Sequence, residues 1–258
     1  MDRDQVAETL RTVGSAVAYT DVEEAVAPSG ARVLGRPVPE EEAAGMWRRL
    51  LALRGSTGFH PVLSTRPPSA LVDAPSSEPY VFDERAFTAP REVLAEITEA
   101  ALTDCLRFAD EEEAEEWRAE FDPERLARAI APEPRLPDRR RNYRPSWLCL
   151  VESTTGYAVP GLLPGRPNGR NWRHGPNGRE MLPSDHVAFL HAWHDRFGAE
   201  LCYLADSVLM LDVARPPQEP VAVAEAAIEQ YAYSPDGRDA ISYANRQTRT
   251  GHWQFWWD

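Results

Sequence analysis

The last seven residues alternate in a way that few folds can accommodate. His252-Trp253-Gln254-Phe255-Trp256-Trp257-Asp258 holds three of the chain's eight tryptophans, and side chains two apart on a strand share a face. Trp253, Phe255 and Trp257 therefore line one side, with His252, Gln254, Trp256 and Asp258 on the other. Chain ends are ordinarily polar and frayed, so such a terminus must be held by packing or by a partner. Each aromatic can bury roughly 150–250 Å², worth about 4–6 kcal/mol as an upper bound at ~25 cal/mol per Å². The pattern predicts a final strand with one wholly apolar face, and its removal damages the fold.

The elements before that strand have a clear rhythm. Trp147–Glu152 reads as an apolar strand, followed by a Gly-, Pro- and Asn-rich loop over 156–183 that is too long for a routine connection. Ser184 or Asp185 can N-cap a helix that runs to Phe197 and stops at Gly198. Ala199–Leu204 and Val208–Val213 form a hairpin across Ala205-Asp206-Ser207. A helix from Glu219 to Tyr231, a shorter one over Asp239–Gln247 and the terminal strand complete a β-α-β-β-α-β order. That order predicts an α+β fold of the ferredoxin-like kind, an antiparallel sheet with its helices on one face and the last strand beside the first. Trp256 then faces the side away from those helices, open to the N-terminal half or to a ligand.

Residues 1–140 form a mixed α/β region that is mostly helical after residue 90. Helices are expected at Gln5–Val13, Glu40–Leu53, Pro90–Phe108, Glu111–Glu120 and Pro123–Ile130, with strands at Ala16–Thr20, Ala31–Leu34 and Phe59–Ser64. Arg66–Pro79, with four prolines, reads as a loop. Prolines at 132, 134, 137 and 145 mark a boundary, dividing the chain into 1–140 and 141–258.

Charge and cysteine usage exclude several classes of function. At −13 the chain is poorly suited to nucleic acid or an anionic membrane. Its 28 basic residues are all arginine, which rules out Schiff-base chemistry and a P-loop lysine. Cys105, Cys149 and Cys202 are odd in number and widely spaced, which fits a reducing cytoplasm, and the last two sit in apolar runs as inert thiols. Neither a secretory leader nor a membrane span is read from the sequence. The expected location is cytoplasmic.

Three groups of residues are candidates for chemistry. His186, His191 and His194 lie on one predicted helix; the last two share a face, and with His252 they form the weak catalytic set. No metal or cofactor is expected, because HExxH, CxxC and facial-triad spacings are missing. Residues 139–179 hold eight arginines against Glu152 alone, a local charge of +7 in an otherwise acidic chain. Arg166, Arg170, Trp172, Arg173 and Arg179, together with Trp256, are therefore the predicted binding residues, through forked guanidinium contacts and stacking. The competing reading pairs those arginines with the acidic helix at 110–120.

Four motifs carry a family resemblance. They are Trp193-His194-Asp195-Arg196-Phe197-Gly198-Ala199-Glu200, Ala214-Arg215-Pro216-Pro217, Glu229-Gln230-Tyr231-Ala232-Tyr233-Ser234-Pro235-Asp236 and Trp253-Gln254-Phe255-Trp256-Trp257-Asp258. In that order and spacing, over about residues 147–258, the chain resembles the bacterial family called domain of unknown function 4253. The family carries cysteine where this chain has Ser234, and a Gly-Gly-Trp-Asn-like turn where it has Gly169-Arg170-Asn171-Trp172. The resemblance implies no activity. The expected function is a non-catalytic binding or regulatory module, of a toxin-immunity kind among others, that recognises a macromolecular partner, such as a protein, or an anionic ligand. The rivals are a hydrolase with a His/carboxylate site near the terminal strand, and single-strand nucleic-acid binding on Trp256, against which the acidity argues.

Overall fold

Seven strands are described, most of them apolar runs bounded by Gly, Pro or Asp. The computed structural model describes residues 8–9, 22–73, 82–133, 144–163, 165, 167, 180–235 and 239–257. The strands are β1 (Glu23–Val26), β2 (Arg32–Pro37), β3 (His60–Ser64), β4 (Trp147–Val151), β5 (Ala199–Leu204), β6 (Val208–Val213) and β7 (His252–Trp256). They form one sheet in the order β1-β2-β4-β3-β5-β6-β7. Neighbours run antiparallel except β3 and β5, which are parallel through Leu63 and Tyr203.

This topology corrects the ferredoxin-like expectation. Both edges of β4 are taken by β2 and β3 from the first half of the chain, which leaves no slot beside it for β7. β7 pairs instead with β6 at the sheet edge, with Val208 opposite Trp256 and Asp212 opposite His252. The two halves of the chain thus contribute to one sheet. The mixed α and β content and the predicted strands β4 to β7 are as read from the sequence, whereas β1 was missed. Of the expected helix 5–13 only Glu8 and Thr9 are described, and the expected strand 16–20 lies outside the described residues.

Ten helices are described. They are α1 (Glu40–Thr57), α2 (Pro68–Val72), α3 (Arg85–Thr88), α4 (Pro90–Leu106), α5 (Glu111–Glu120), α6 (Pro123–Ala129), α7 (Val159–Leu162), α8 (Pro183–Phe197), α9 (Pro220–Tyr233) and α10 (Ala240–Arg246). α8 begins earlier than predicted: Pro183 takes the first position, where its missing N–H costs nothing. Asp185 is the third residue of the helix, and its Oδ2 accepts the Leu182 N–H at 2.8 Å. Gly198 ends the helix at φ 64°, a conformation that favours glycine.

The sheet is buried on two sides by different partners. Val62, Val151, Leu201, Leu211 and the Trp253/Phe255/Trp257 row pack against α4, α8, α9 and α10 in the larger core. Leu34, Leu63, Leu150 and Val208 pack against Met46, Trp47 and Leu50 of α1 in the smaller one. A bulge in β5 sets two residues, Cys202 and Tyr203, against the single step from Leu211 to Met210. Both side chains consequently pack on the α1 cluster.

The seam between β3 and β5 is closed by side chains. Pro61 has no N–H to give, and its carbonyl accepts Trp47 Nε1–H at 2.9 Å. The Leu201 carbonyl lies 2.9 Å from His60 Nε2, which must therefore donate. Burial lowers His60 to about 4, reinforced by the charge of Arg54, so the ring is neutral near pH 7. Gly156 lies against this ring, where a Cβ would come within 2.6 Å of Cε1.

Candidate functional site

The aromatic side of β7 is closed to ligands. Trp253, Phe255 and Trp257 are fully buried, as the alternation predicts. Trp193 stacks on Phe255 at 5.2 Å, and Tyr233 sits edge-on to Phe255 and Trp257 at 4.9 and 5.1 Å. Each indole N–H finds an acceptor: Trp193 on Glu229 Oε2, Trp253 on the Thr248 carbonyl and Trp257 on the Tyr233 carbonyl. The motif residues of α9 serve this packing. Glu229 also binds Arg196, and Gln230 Oε1 accepts from Gln247 and Thr248.

Ser234 guards the sheet edge. Its hydroxyl donates to the Trp256 carbonyl at 2.8 Å and accepts the Trp256 N–H at 3.4 Å, while Gln247 Oε1 accepts the Gln254 N–H at 3.2 Å. These contacts occupy backbone groups of β7 that an edge strand would otherwise offer to another chain.

The histidines do not converge on Trp256. His186 is buried, with Nδ1 2.8 Å from Tyr233 Oη. Burial lowers the ring to about 3 and pushes the phenol well above its ordinary value, so the hydroxyl donates and the pair is inert near neutral pH. His191 stacks on Tyr157 at 4.1 Å, donates Nδ1–H to the Ala86 carbonyl, and lies 3.8 Å from Asp195. His194 tilts against the same Tyr157 at 5.4 Å, with Nδ1 3.4 Å from Glu200 Oε1.

His252 is exposed and meets Asp212 at 3.2 Å. Glu200, Asp212 and His252 are register partners across β5, β6 and β7, so His194 and His252 flank a row of two acids. Among the described residues no histidine ring is hydrogen-bonded to a serine, threonine or cysteine side chain. Nor does any group of three or more His, Cys, Asp and Glu there have the geometry to hold a metal. Burial pushes the Cys149 thiol far up and Cys202 up to about 12, which disfavours the reactive thiolate at both.

The other side of β5–β7 is only half covered. Cys202, Met210 and Trp256 of these strands, with Leu51 of α1, are partly buried at the margin of the α1 core. On α1, Arg48, Leu51, Ala52 and Gly55 follow i, i+3, i+4, i+7 spacing and form one stripe beside the face that carries Met46, Trp47 and Leu50. With Arg54, Thr154 and Glu200 this stripe lines an open cleft of about 490 Å³. Small Ala52 and Gly55 leave the room, since a Cβ on Gly55 would meet no atom within 4 Å. Arg54 Nη1 pairs with Glu200 Oε1, the oxygen that His194 also faces. Glu200 Oε2 is buried with no partner among the described residues. Arg48 is exposed.

Arg48, Arg54, Thr154 and Glu200 escaped sequence reasoning, because two arginines on an amphipathic helix read as a solvated face. Their only signal was the small-residue stripe between them. Trp256 was singled out, and it lies on the same side of the sheet as this cleft. Arg166, Arg170, Trp172, Arg173 and Arg179 lie outside the described residues. Within those residues the acidic helix α5 finds its partners locally, Glu115 pairing with Arg118 and Arg125. Among them, no helix is long and apolar enough to cross a membrane.

No curated protein and no solved structure matches the chain. Residues 148–258, the segment that supplies β4 to β7 with α8 and α9, match the family described as Domain of unknown function (DUF4253), the family to which the four sequence motifs pointed.

Proposed function

We propose that this protein is a non-catalytic binding or regulatory module that takes an anionic group of its ligand or protein partner into the α1 cleft. One observation carries the reading: two guanidinium groups line a roomy cleft on the same side of the sheet as the half-buried Leu51, Cys202, Met210 and Trp256. Arginine forks suit carboxylate and phosphate, and the apolar margin offers contact area to the body that carries the anion. The contacts His191–Asp195, His194–Glu200 and His252–Asp212 do not converge in a pocket beside Trp256, which weighs against the hydrolase alternative.

The test is a titration of the full chain with inorganic phosphate and with citrate at constant ionic strength, read by melting temperature and by the Trp256 indole resonance. A ligand that binds the native state raises the melting temperature by mass action. The expected result is a rise with at least one anion, a shift of the Trp256 signal, and loss of both in Arg48→Glu. No response to either anion, or an unchanged response in Arg48→Glu, refutes the proposal.

A further inference from the structure

A second groove lies on the opposite, helical side of the sheet, away from the cleft. α4 contributes a stripe at i, i+4 and i+7 spacing, Ala95, Glu99 and Leu102, and α9 contributes Glu225, Ile228 and Glu229. Phe121, from the α5–α6 junction, completes a space of about 360 Å³. The lining is apolar along its length and acidic at its rim.

Glu99 and Glu225 are exposed, and among the described residues no lysine or arginine lines the groove. Arg196 is committed to Glu229 and, at 3.7 Å, to Glu225. Glu99 makes no ion pair among the described residues. Exposed Glu92 and Glu96 continue the acidic surface along α4, with Arg85 bound to Glu96.

We propose that this groove docks a cationic amphipathic helix of a partner protein, its apolar stripe on Ala95, Leu102 and Ile228 and its arginines or lysines against Glu99 and Glu225. Charge complementarity selects the occupant. An acidic rim around an apolar floor repels an acidic segment, and the chain's net charge of −13 opposes self-association in general. The walls are helices and present no strand edge, so a partner enters as a helix read at i, i+3, i+4 and i+7.

The probe is a labelled 18-residue peptide with leucine at those spacings and arginine elsewhere, titrated with the full chain by fluorescence anisotropy. Two control peptides replace arginine by glutamate or leucine by serine. Binding of the Leu/Arg peptide alone is expected, weakened at least tenfold both by the pair Glu99→Arg and Glu225→Arg and by Ala95→Trp, which fills the groove. The pair Glu41→Arg and Glu116→Arg, on exposed sites outside the groove, is expected to change affinity less than twofold. Melting curves confirm that each variant is folded.

Four results overturn the proposal. They are no binding to the wild-type chain, equal binding of the Ser/Arg peptide, equal weakening by the pair outside the groove, and a concentration-dependent self-association that Ala95→Trp abolishes. The last would assign the groove to a second copy.

Discussion

Trp256 and Trp257 are adjacent in sequence, yet truncating them to alanine should have very different consequences. Trp257 is fully buried, its ring 5.1 Å from Tyr233 and 5.5 Å from His186, and its N–H bonds the Tyr233 carbonyl. An indole burying ~200 Å² is worth about 5 kcal/mol at ~25 cal/mol per Å². A denatured chain that already hides part of that area brings the figure to about 3–4 kcal/mol. The orphaned Tyr233 carbonyl adds about 1 kcal/mol, so Trp257→Ala is expected to cost about 4–5 kcal/mol, near the top of the usual range for such truncations. Trp256 is half-buried at the margin of the other core. Its bonds to Ser234 use the backbone, which alanine keeps. Trp256→Ala is expected to cost about 1.5–2 kcal/mol, from roughly half the buried area. Urea unfolding, with unchanged m-values as the check on two-state behaviour, measures both. A cost below about 2 kcal/mol for Trp257→Ala, or equal costs for the two variants, refutes the assignment of the tail's faces.

Two further outcomes follow from buried polar groups. His60 at about 4 and His186 at about 3 are neutral when folded, whereas the unfolded chain titrates near 6.5. Below pH 6.5 the unfolded state therefore binds more protons, and the stability conferred by these neutral rings is lost as pH falls through 4 and then 3. Each histidine steepens the slope by about 1.4 kcal/mol per pH unit inside its window. His186→Gln should roughly halve the combined slope between pH 6 and 4.5, measured by urea unfolding at each pH. Ser234→Ala removes the hydroxyl that bridges the Trp256 N–H and carbonyl. It should cost about 1–2 kcal/mol and speed hydrogen exchange at Trp256, while Ser234→Cys, which keeps a donor and acceptor there, should retain slower exchange than Ser234→Ala.

Much of the C-terminal segment is legible locally because its signals are periodic. The alternation at 253–257 assigned the buried row correctly, and the glycine at 198 and the hairpin at 205–207 mark real boundaries. β1 escaped notice because Glu23-Glu24 in a four-residue strand carries no apolar period. The cleft was illegible for a different reason. Arg48 and Arg54 on α1 meet Thr154 and Glu200 only after segments far apart in the chain have packed, and no spacing encodes that meeting.

The sequence by itself determined which side chains of the terminal strand share a face, since a strand's period of two is a property of its backbone. It also determined the acidic balance and the family of the C-terminal segment. Only the tertiary structure decided where that strand sits. Any β-α-β-β-α-β order permits the last strand to lie beside the first, but here β2 and β3 occupy both edges of β4 and send β7 to the margin. That exchange leaves Trp256 at the margin of the α1 core and aligns the Glu200–Asp212–His252 row across three strands. Strand pairing is a contest among all available edges, and a local pattern does not record who the competitors are.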